Sequence, residues 1–277
     1  MSSSSIHPTS IVEAGAKIGD RVTIGPFCHI GPEAVIGNDV TLLSHVVIMG
    51  ATTLGDGAKV YPNAILGGDP QNTKHKGGHT TLVIGRNCTV REGVTMNRGT
   101  DGSRGFTTVG DNCMFLAYSH VAHDCDIGDN VTFANNVMIG GHVSVGNNVI
   151  IGGGAALHQF VRVGHHAFVG GLAAVALDVI PYGMVIGNHA YLGGLNIVGM
   201  KRSGMARPEI HNLRRAVRML FDRSKPVRNR AGDVRLAFSQ SPAVADLVDF
   251  ITADTKRAFC TPPLGSGIET SDSDDNS

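Results

Sequence analysis

Histidine, with an ordinary pKa of ~6.5, can take and return a proton near neutrality. Three short stretches set one beside a second useful group: His123-Asp124, Gly141-His142 and His158-Gln159. The histidines are 19 and 16 residues apart, and Gly141 and Gln159 follow His123 by 18 and 36. An imidazole at His123 can serve as general base. Asp124, in a turn expected to face outward, would orient that ring and stabilise the imidazolium. Gly141, without a side chain, would let its backbone N–H approach a developing oxyanion. Cys125 is a rival nucleophile, but it has no base of its own, so direct transfer with histidine as base is the simpler scheme. No phosphate-binding P-loop, dinucleotide fingerprint or GxSxG elbow appears in the chain.

Groups about 18 residues apart can act together only if the chain returns to the same place every 18 residues, and the hydrophobic pattern shows that it does. Eleven aliphatic residues from Ile6 to Leu66 fall six apart, and twelve apolar residues from Val109 to Val175 repeat the period in a second register. Glycine often follows them, as at Gly25, Gly31, Gly128 and Gly146. A period of six matches neither a helix nor strand alternation; it suits a triangular coil in which each hexapeptide is one short strand and a turn. Three hexapeptides complete a coil, and coils stack at about 4.8 Å. The reading is therefore mainly β, a parallel solenoid over residues 1–200. The period fails over GGDPQNTKHKGGHTTLV after Leu66 and over NRGTDGSRGFTT after Met96, which marks two loops leaving the prism. Such excursions commonly carry binding residues.

From residue 201 the pattern turns helical, with Ile210, Leu213, Val217 and Leu220 on one face and Val244, Leu247, Val248 and Ile251 on another after a start at Pro242. We assign residues 201–264 to a C-terminal α-helical domain and 265–277 to a disordered acidic tail. Residues 201–235 hold eleven Lys or Arg against three acids, a candidate dock for an acidic partner.

Composition narrows the classes further. The 277 residues include 37 glycines, 11 prolines and no tryptophan, and 42% are hydrophobic, which excludes both collagen and a disordered chain. Acids and bases balance at 23 each, so no overall field recruits nucleic acid. Five cysteines without a CxxC pair argue against a disulfide framework and a four-cysteine zinc site, and for a reducing compartment. The opening MSSSSIHPTS lacks the features of a signal peptide, and no 18-residue apolar run is present, so neither export by that route nor membrane insertion is expected.

The segments HVAHDCDIGDNVTFANN, IGGHVSVG, AALHQFVRVG and GNHAYLGGLNIVGMKR together resemble the UDP-N-acetylglucosamine O-acyltransferases that open lipid A synthesis in Gram-negative bacteria. The resemblance covers about residues 6 to 260. It implies a left-handed parallel β-helix, an exception to the right-handed crossover rule, in a cytoplasmic homotrimer with active sites between subunits. It also implies transfer of an (R)-3-hydroxyacyl group from acyl carrier protein to the sugar 3-hydroxyl, with neither metal nor cofactor.

By the same resemblance His123 is the base, Asp124 its orienter and Gly141 the oxyanion donor, while His142, His158 and Gln159 contact sugar and acyl groups. His120 and Asn196 would line the nucleotide site, Lys74 and Arg202 would meet phosphates or the carrier, and His189 of the GNHA motif joins the substrate-binding set. Asn72 stands where an aspartate is expected, and Ser203 where a second arginine is. The alternatives are a 3-amino sugar acceptor, another hexapeptide N-acyl- or acetyltransferase, a zinc lyase like the γ-class carbonic anhydrases, and a non-catalytic scaffold. Gly171 follows Val169 by two, the outward phase that His123 holds after Val121, and lies 48 residues on, two coils and two faces away. The resemblance puts a residue limiting acyl length in this region, and a glycine there would leave room for a long chain.

Overall fold

The computed structural model describes residues 4–222, 226–253 and 257–263. The acidic stretch from residue 265, and Arg223 and Lys225 of the basic run, lie outside these described residues. Most hexapeptides form a two-residue strand whose second residue points inward, as at Thr132–Phe133 and Ile150–Ile151. The strands form three sheets of eleven, nine and eight strands, visited in turn as a left-handed parallel β-helix. Thr132 lies opposite Ile150, eighteen positions on, so the sequence period is the register. Val121, Phe133, Ile139 and their equivalents fill the prism with almost no exposure.

The three edges of the prism differ. Where the eight-stranded sheet passes to the eleven-stranded one, GDN-type turns stack a ladder: Arg86 N–H donates to Asp111 Oδ1 (2.7 Å), Asp111 N–H to Asp129 Oδ1 (2.7 Å) and Asp129 N–H to Asn147 Oδ1 (2.8 Å). Asn112, Asn130 and Asn148 take the left-handed corner conformation there, which asparagine tolerates best among residues with a Cβ. The edge between the nine- and eight-stranded sheets instead carries Asp124, His142 and Phe160 at φ of 60 to 66°. Both loops that break the period, 69–80 and 98–105, leave from this edge, lengthening the local register from 18 to 30 and 25 positions.

The repeat predicts inward aliphatics from Ile6 onward, yet Ile6 is 45% exposed, because no coil lies beneath the first one to cover it. At the far end the chain closes with an antiparallel hairpin, Gly183–Ile186 with Tyr191–Leu195. Among the described residues four helices follow: α1 (Ile197–Arg202), α2 (Arg207–Leu220), α3 (Val227–Ala237) and α4 (Pro242–Thr252). The apolar faces read from the sequence are buried in α2 and α4; α1, α3 and the hairpin were not anticipated. Ser241 caps α4, accepting from Val244 N–H, and donates to Glu209 of α2 at 2.6 Å. Among the described residues, no helix is long and apolar enough to cross a membrane.

Part of the basic run is structural. Arg228 donates to the carbonyls of Ile251 and Ala253 at the end of α4, the buried Arg230 to those of Met219 and Leu220 at the end of α2, and Arg235 pairs with Asp249. Arg228 and Arg230 thus satisfy orphan carbonyls at helix C-termini, where a cation also matches the dipole.

Coil stacking makes the core sensitive to volume. The Phe115 and Phe133 rings meet edge to face at 5.0 Å with full burial. Phe133→Ala should therefore lower stability by about 3–5 kcal/mol, seen as an earlier midpoint in denaturant unfolding followed by circular dichroism. A midpoint within error of the parent would show that neighbouring coils collapse into the space.

Candidate active site

His123 and Asp124 lie in the turn between strand His120–Val121 of the nine-stranded sheet and strand Asp126–Ile127 of the eight-stranded one. His123 Nδ1 is 2.8 Å from Asp124 Oδ2, and the carboxylate is fully buried. The sequence placed Asp124 outward; the inserted 98–105 loop covers it instead. Thr100 N–H donates to Oδ1 (3.0 Å), Thr100 Oγ1 donates to Oδ2 (2.7 Å), and Asp124 N–H is fixed on Thr107 Oγ1 (2.8 Å). Burial by itself raises the Asp124 pKa, but the hydrogen bonds from Thr100 and His123 outweigh it, and the carboxyl sits below its ordinary value. An ionised Asp124 fixes the His123 tautomer with Nδ1 protonated and Nε2 free to accept a proton.

One coil further on, Gly141 approaches the ring so closely that an added Cβ would lie 2.5 Å from His123 Cε1 and 2.8 Å from Nε2. His142 N–H bonds to the His123 carbonyl, and Phe160 N–H to that of Gly141, so the three coils stack in the column that the spacing implied. The His142 ring lies flat on Phe160 (centroids 4.3 Å, 3° apart), stands edge-on to His123 at 5.1 Å and places Nε2 3.8 Å from Asp124 Oδ2. Burial holds His142 below the usual histidine value, against the pull of the Asp124 charge.

A cleft of about 640 Å³ opens over this column. Gln71, Asn72 and Lys74 of the first loop, Thr100 and Ser103 of the second, and Gln159 with Phe160 wall it. Lys74 is exposed at the rim, while Asn72 Oδ1 accepts the Lys74 N–H at 2.9 Å and so shapes the loop. His158 is exposed beside Gln159, its Nδ1 3.1 Å from the Gln159 carbonyl oxygen, and does not line the cleft. His120 is held at 2.7 Å by Thr95 Oγ1 on the neighbouring sheet face, where burial lowers its pKa.

Four candidates lie elsewhere in the chain. Asn196 caps α1, accepting from Gly199 N–H and donating to the His166 carbonyl, so its amide is already engaged in the fold. Arg202 is exposed at the end of α1, and His189 is exposed in the turn of the terminal hairpin. Gly171 lies on the edge between the eleven- and nine-stranded sheets, away from His123.

Cys125 is buried behind the turn, where desolvation pushes its thiol up to about 12, which disfavours a thiolate nucleophile. Among the described residues, His123, Asp124 and His142 are the one group whose donor atoms, within 4.8 Å of one another, could gather on a metal ion. The sequence reading missed Thr100, Thr107 and Ser103, since they sit in or beside a loop whose path no repeat dictates.

Comparison with known proteins shows the family of the chain. A family model described as UDP N-acetylglucosamine O-acyltransferase, domain 2, matches residues 178–260, and one described as bacterial transferase hexapeptide (six repeats) matches residues 33–68 and 106–141. The chain is 67% identical over 259 residues to a Brucella ovis protein named acyl-(acyl-carrier-protein)–UDP-N-acetylglucosamine O-acyltransferase, covering 94% of this chain and 93% of that protein. The structure of UDP-N-acetylglucosamine acyltransferase from Campylobacter jejuni superposes with a TM-score of 0.87 at 37% identity, covering 93% of this chain and 100% of that one. LpxA from Acinetobacter baumannii gives 0.87 at 36% identity, covering 89% and 96%. With likeness running over nearly the whole length and through the column around His123, the chain belongs to the UDP-N-acetylglucosamine O-acyltransferase family.

Proposed function

We propose that the cleft transfers an (R)-3-hydroxyacyl group from acyl carrier protein to the 3-hydroxyl of UDP-N-acetylglucosamine, the first step of lipid A synthesis. The observation that carries this is the buried Asp124–His123 pair under Gly141 at the floor of an open cleft in a chain of this family. His123 Nε2 takes the proton of the sugar 3-hydroxyl as its oxygen attacks the thioester carbon. The carbonyl oxygen becomes an oxyanion on the Gly141 N–H. Collapse breaks the C–S bond, and the imidazolium returns its proton to the carrier thiolate. His142 and Gln159, which line the cleft, would contact sugar and acyl groups and Asn72 the sugar; His158 would reach them from outside the lining, His120 would face the nucleotide side, Lys74 the phosphates or the carrier, and His189, Asn196 and Arg202, away from this cleft, would join a site only from a neighbouring subunit.

The test is a side-by-side assay of carrier-bound and CoA-bound hydroxyacyl donors with 3-hydroxyl and 3-amino acceptors. A tenfold preference for the amine would reassign the acceptor, a reading that Asn72 in the cleft wall keeps open. A CoA preference would overturn the carrier. Dialysis against a chelator should leave the transfer rate unchanged; loss of transfer restored by zinc would instead put a metal on the His123, Asp124 and His142 group.

A homotrimer is part of this reading, and exposed apolar surface supports it. Met114 and Ile150 on the eleven-stranded sheet, Tyr118 and Leu172 on the next edge and Met138 on the nine-stranded sheet are all exposed. Contact between two different faces closes a ring if the rotation permits, and it would bring a neighbour's Gly171 to the cleft. A Cβ on Gly171 would meet only Gly153 backbone atoms, at 3.3 and 3.9 Å, so a longer side chain has room to project outward. We expect a preference for acyl chains of roughly 12–14 carbons or longer, each buried methylene adding about 0.8 kcal/mol. Gly171→Met should shift competition between 10- and 14-carbon donors toward the shorter; an unchanged ratio would remove Gly171 from the groove.

The carrier dock is assigned to α2, where Arg215 and Arg218 are exposed, while Arg228 and Arg230 of α3 are engaged at helix ends and Arg235 pairs with Asp249. Reversing Arg215 and Arg218 to Glu should raise KM for the carrier several-fold at low salt and leave KM for the sugar nucleotide unchanged. Equal carrier kinetics would place the dock elsewhere. A cytoplasmic site of action fits the five free, buried cysteines.

A further inference from the structure

The inserted loop between strands Thr95–Asn97 and Phe106–Val109 places two consecutive residues in opposite directions. Thr100 is 4% exposed and grips both oxygens of Asp124, one with its N–H and one with its hydroxyl. Asp101 turns the other way. Its carboxylate accepts from the N–H groups of Lys76 (3.1 Å) and Gly78 (3.1 Å) and lies 3.2 Å from His75 Nδ1. Those three residues belong to the first inserted loop, which carries Gln71, Asn72 and Lys74 along the cleft wall.

We propose that Thr100 and Asp101 are positioning residues for the transfer: Thr100 commits the Asp124 carboxylate to His123, and Asp101 pins the loop that receives the sugar nucleotide over the same base. The proposal rests on His123 acting as the base. Asp124 Oδ2 faces two imidazoles, His123 Nδ1 at 2.8 Å and His142 Nε2 at 3.8 Å. A carboxylate free to rotate could serve either. The Thr100 hydroxyl, 2.7 Å from that oxygen, holds it on the first and keeps Nε2 of His123 aimed at the cleft. Threonine suits this task because one residue supplies two donors at the spacing of the two carboxylate oxygens.

The two residues should therefore fail in different kinetic parameters. Thr100→Val keeps the shape and the backbone donor and loses the hydroxyl. We expect kcat to fall at least tenfold with KM for the sugar nucleotide within twofold, and Thr100→Ser to restore most of the rate. The acidic limb of the kcat profile should move to higher pH. A carboxylate relieved of one donor presents more of its charge to the base; the other groups around it are His142, His120, Arg104, whose charge acts against that of the carboxylate, and Cys125, which is uncharged behind the turn. Asp101→Asn, losing charge beside two N–H donors, should raise KM for UDP-N-acetylglucosamine about tenfold and leave kcat and the acidic limb near the parent.

Steady-state kinetics of purified full-length protein across pH, with melting temperatures as control, supply the test. In an Asp124→Asn background Thr100→Val should add little, since its effect runs through that carboxylate. Additive losses, or a Thr100→Val rate and pH limb equal to the parent, would overturn the role of Thr100. An Asp101→Asn enzyme with unchanged KM would overturn that of Asp101, a measurement that stands even where Thr100→Val does not fold. If His123→Ala retains activity in the same series, the base assignment itself falls. A neutral Thr100→Val in an enzyme silenced by His123→Ala sinks only this proposal.

Discussion

His123→Ala should cut the transfer rate by about 10²–10⁴-fold, the usual contribution of a positioned general base, while the fold and melting temperature persist. A sugar hydroxyl is almost entirely protonated at neutral pH and attacks a thioester poorly unless its proton leaves as the bond forms. In this cleft His123 is the imidazole hydrogen-bonded to a buried carboxylate at 2.8 Å, with Gly141 packed against its ring. His142 is poorly placed to replace it, because its ring is stacked flat on Phe160 at 4.3 Å and its Nε2 is turned toward Asp124. The fold should tolerate the change, since the side chain lines the cleft and is no part of the aliphatic stack inside the prism. Transfer of labelled sugar nucleotide into acylated product measures the effect. Retention of more than a tenth of the parent rate would remove His123 as the base.

Gly141→Ala should be nearly as damaging for a different reason. A Cβ there would stand 2.5 Å from His123 Cε1, 2.8 Å from Nε2 and 3.0 Å from Nδ1, distances at which something must move. Gly141 does not occupy the left-handed region, so alanine suits its backbone, and the strain falls on the histidine ring. Pushed aside, the imidazole loses its alignment with Asp124 and with the substrate, and a displacement near 1 Å costs about 10²-fold in rate. The neighbouring Gly140 makes an internal control: its added Cβ would meet the backbone nitrogen of Gln159 at 2.8 Å, a contact between coils. Gly140→Ala should thus lower the melting temperature, whereas Gly141→Ala should lower kcat with the melting temperature nearly unchanged. Parent-like kcat for Gly141→Ala would mean that the ring has room the geometry denies it.

The arrangement of His123, Gly141 and Gln159 on one edge was legible from residue numbers alone, because a parallel coil converts a spacing of 18 directly into adjacency. The same arithmetic set Gly171 on another edge, and the structure agrees. It failed wherever the chain leaves the repeat. Asp124 reads as an outward turn residue until the 98–105 loop is laid over it, and Thr100 carries no periodic signal. Arg228 and Arg230 read as free charge in a basic run until α2, α3 and α4 pack and their helix ends need donors. Asn196 likewise joins a motif in the sequence but caps a helix in the structure.

By itself, then, the sequence determined the prism and the column of His123, Gly141 and Gln159, since each depends on a local pattern repeated coil after coil, with inward apolar residues meeting their equivalents 18 residues on wherever no loop intervenes. Only the tertiary structure decided which way Asp124 points, what holds it, how the two inserted loops lock together through Asp101, and which arginines remain on the surface. Those outcomes depend on contacts between segments of unrelated sequence, whose pairing is set by the whole packed chain and leaves no mark in any window of six residues.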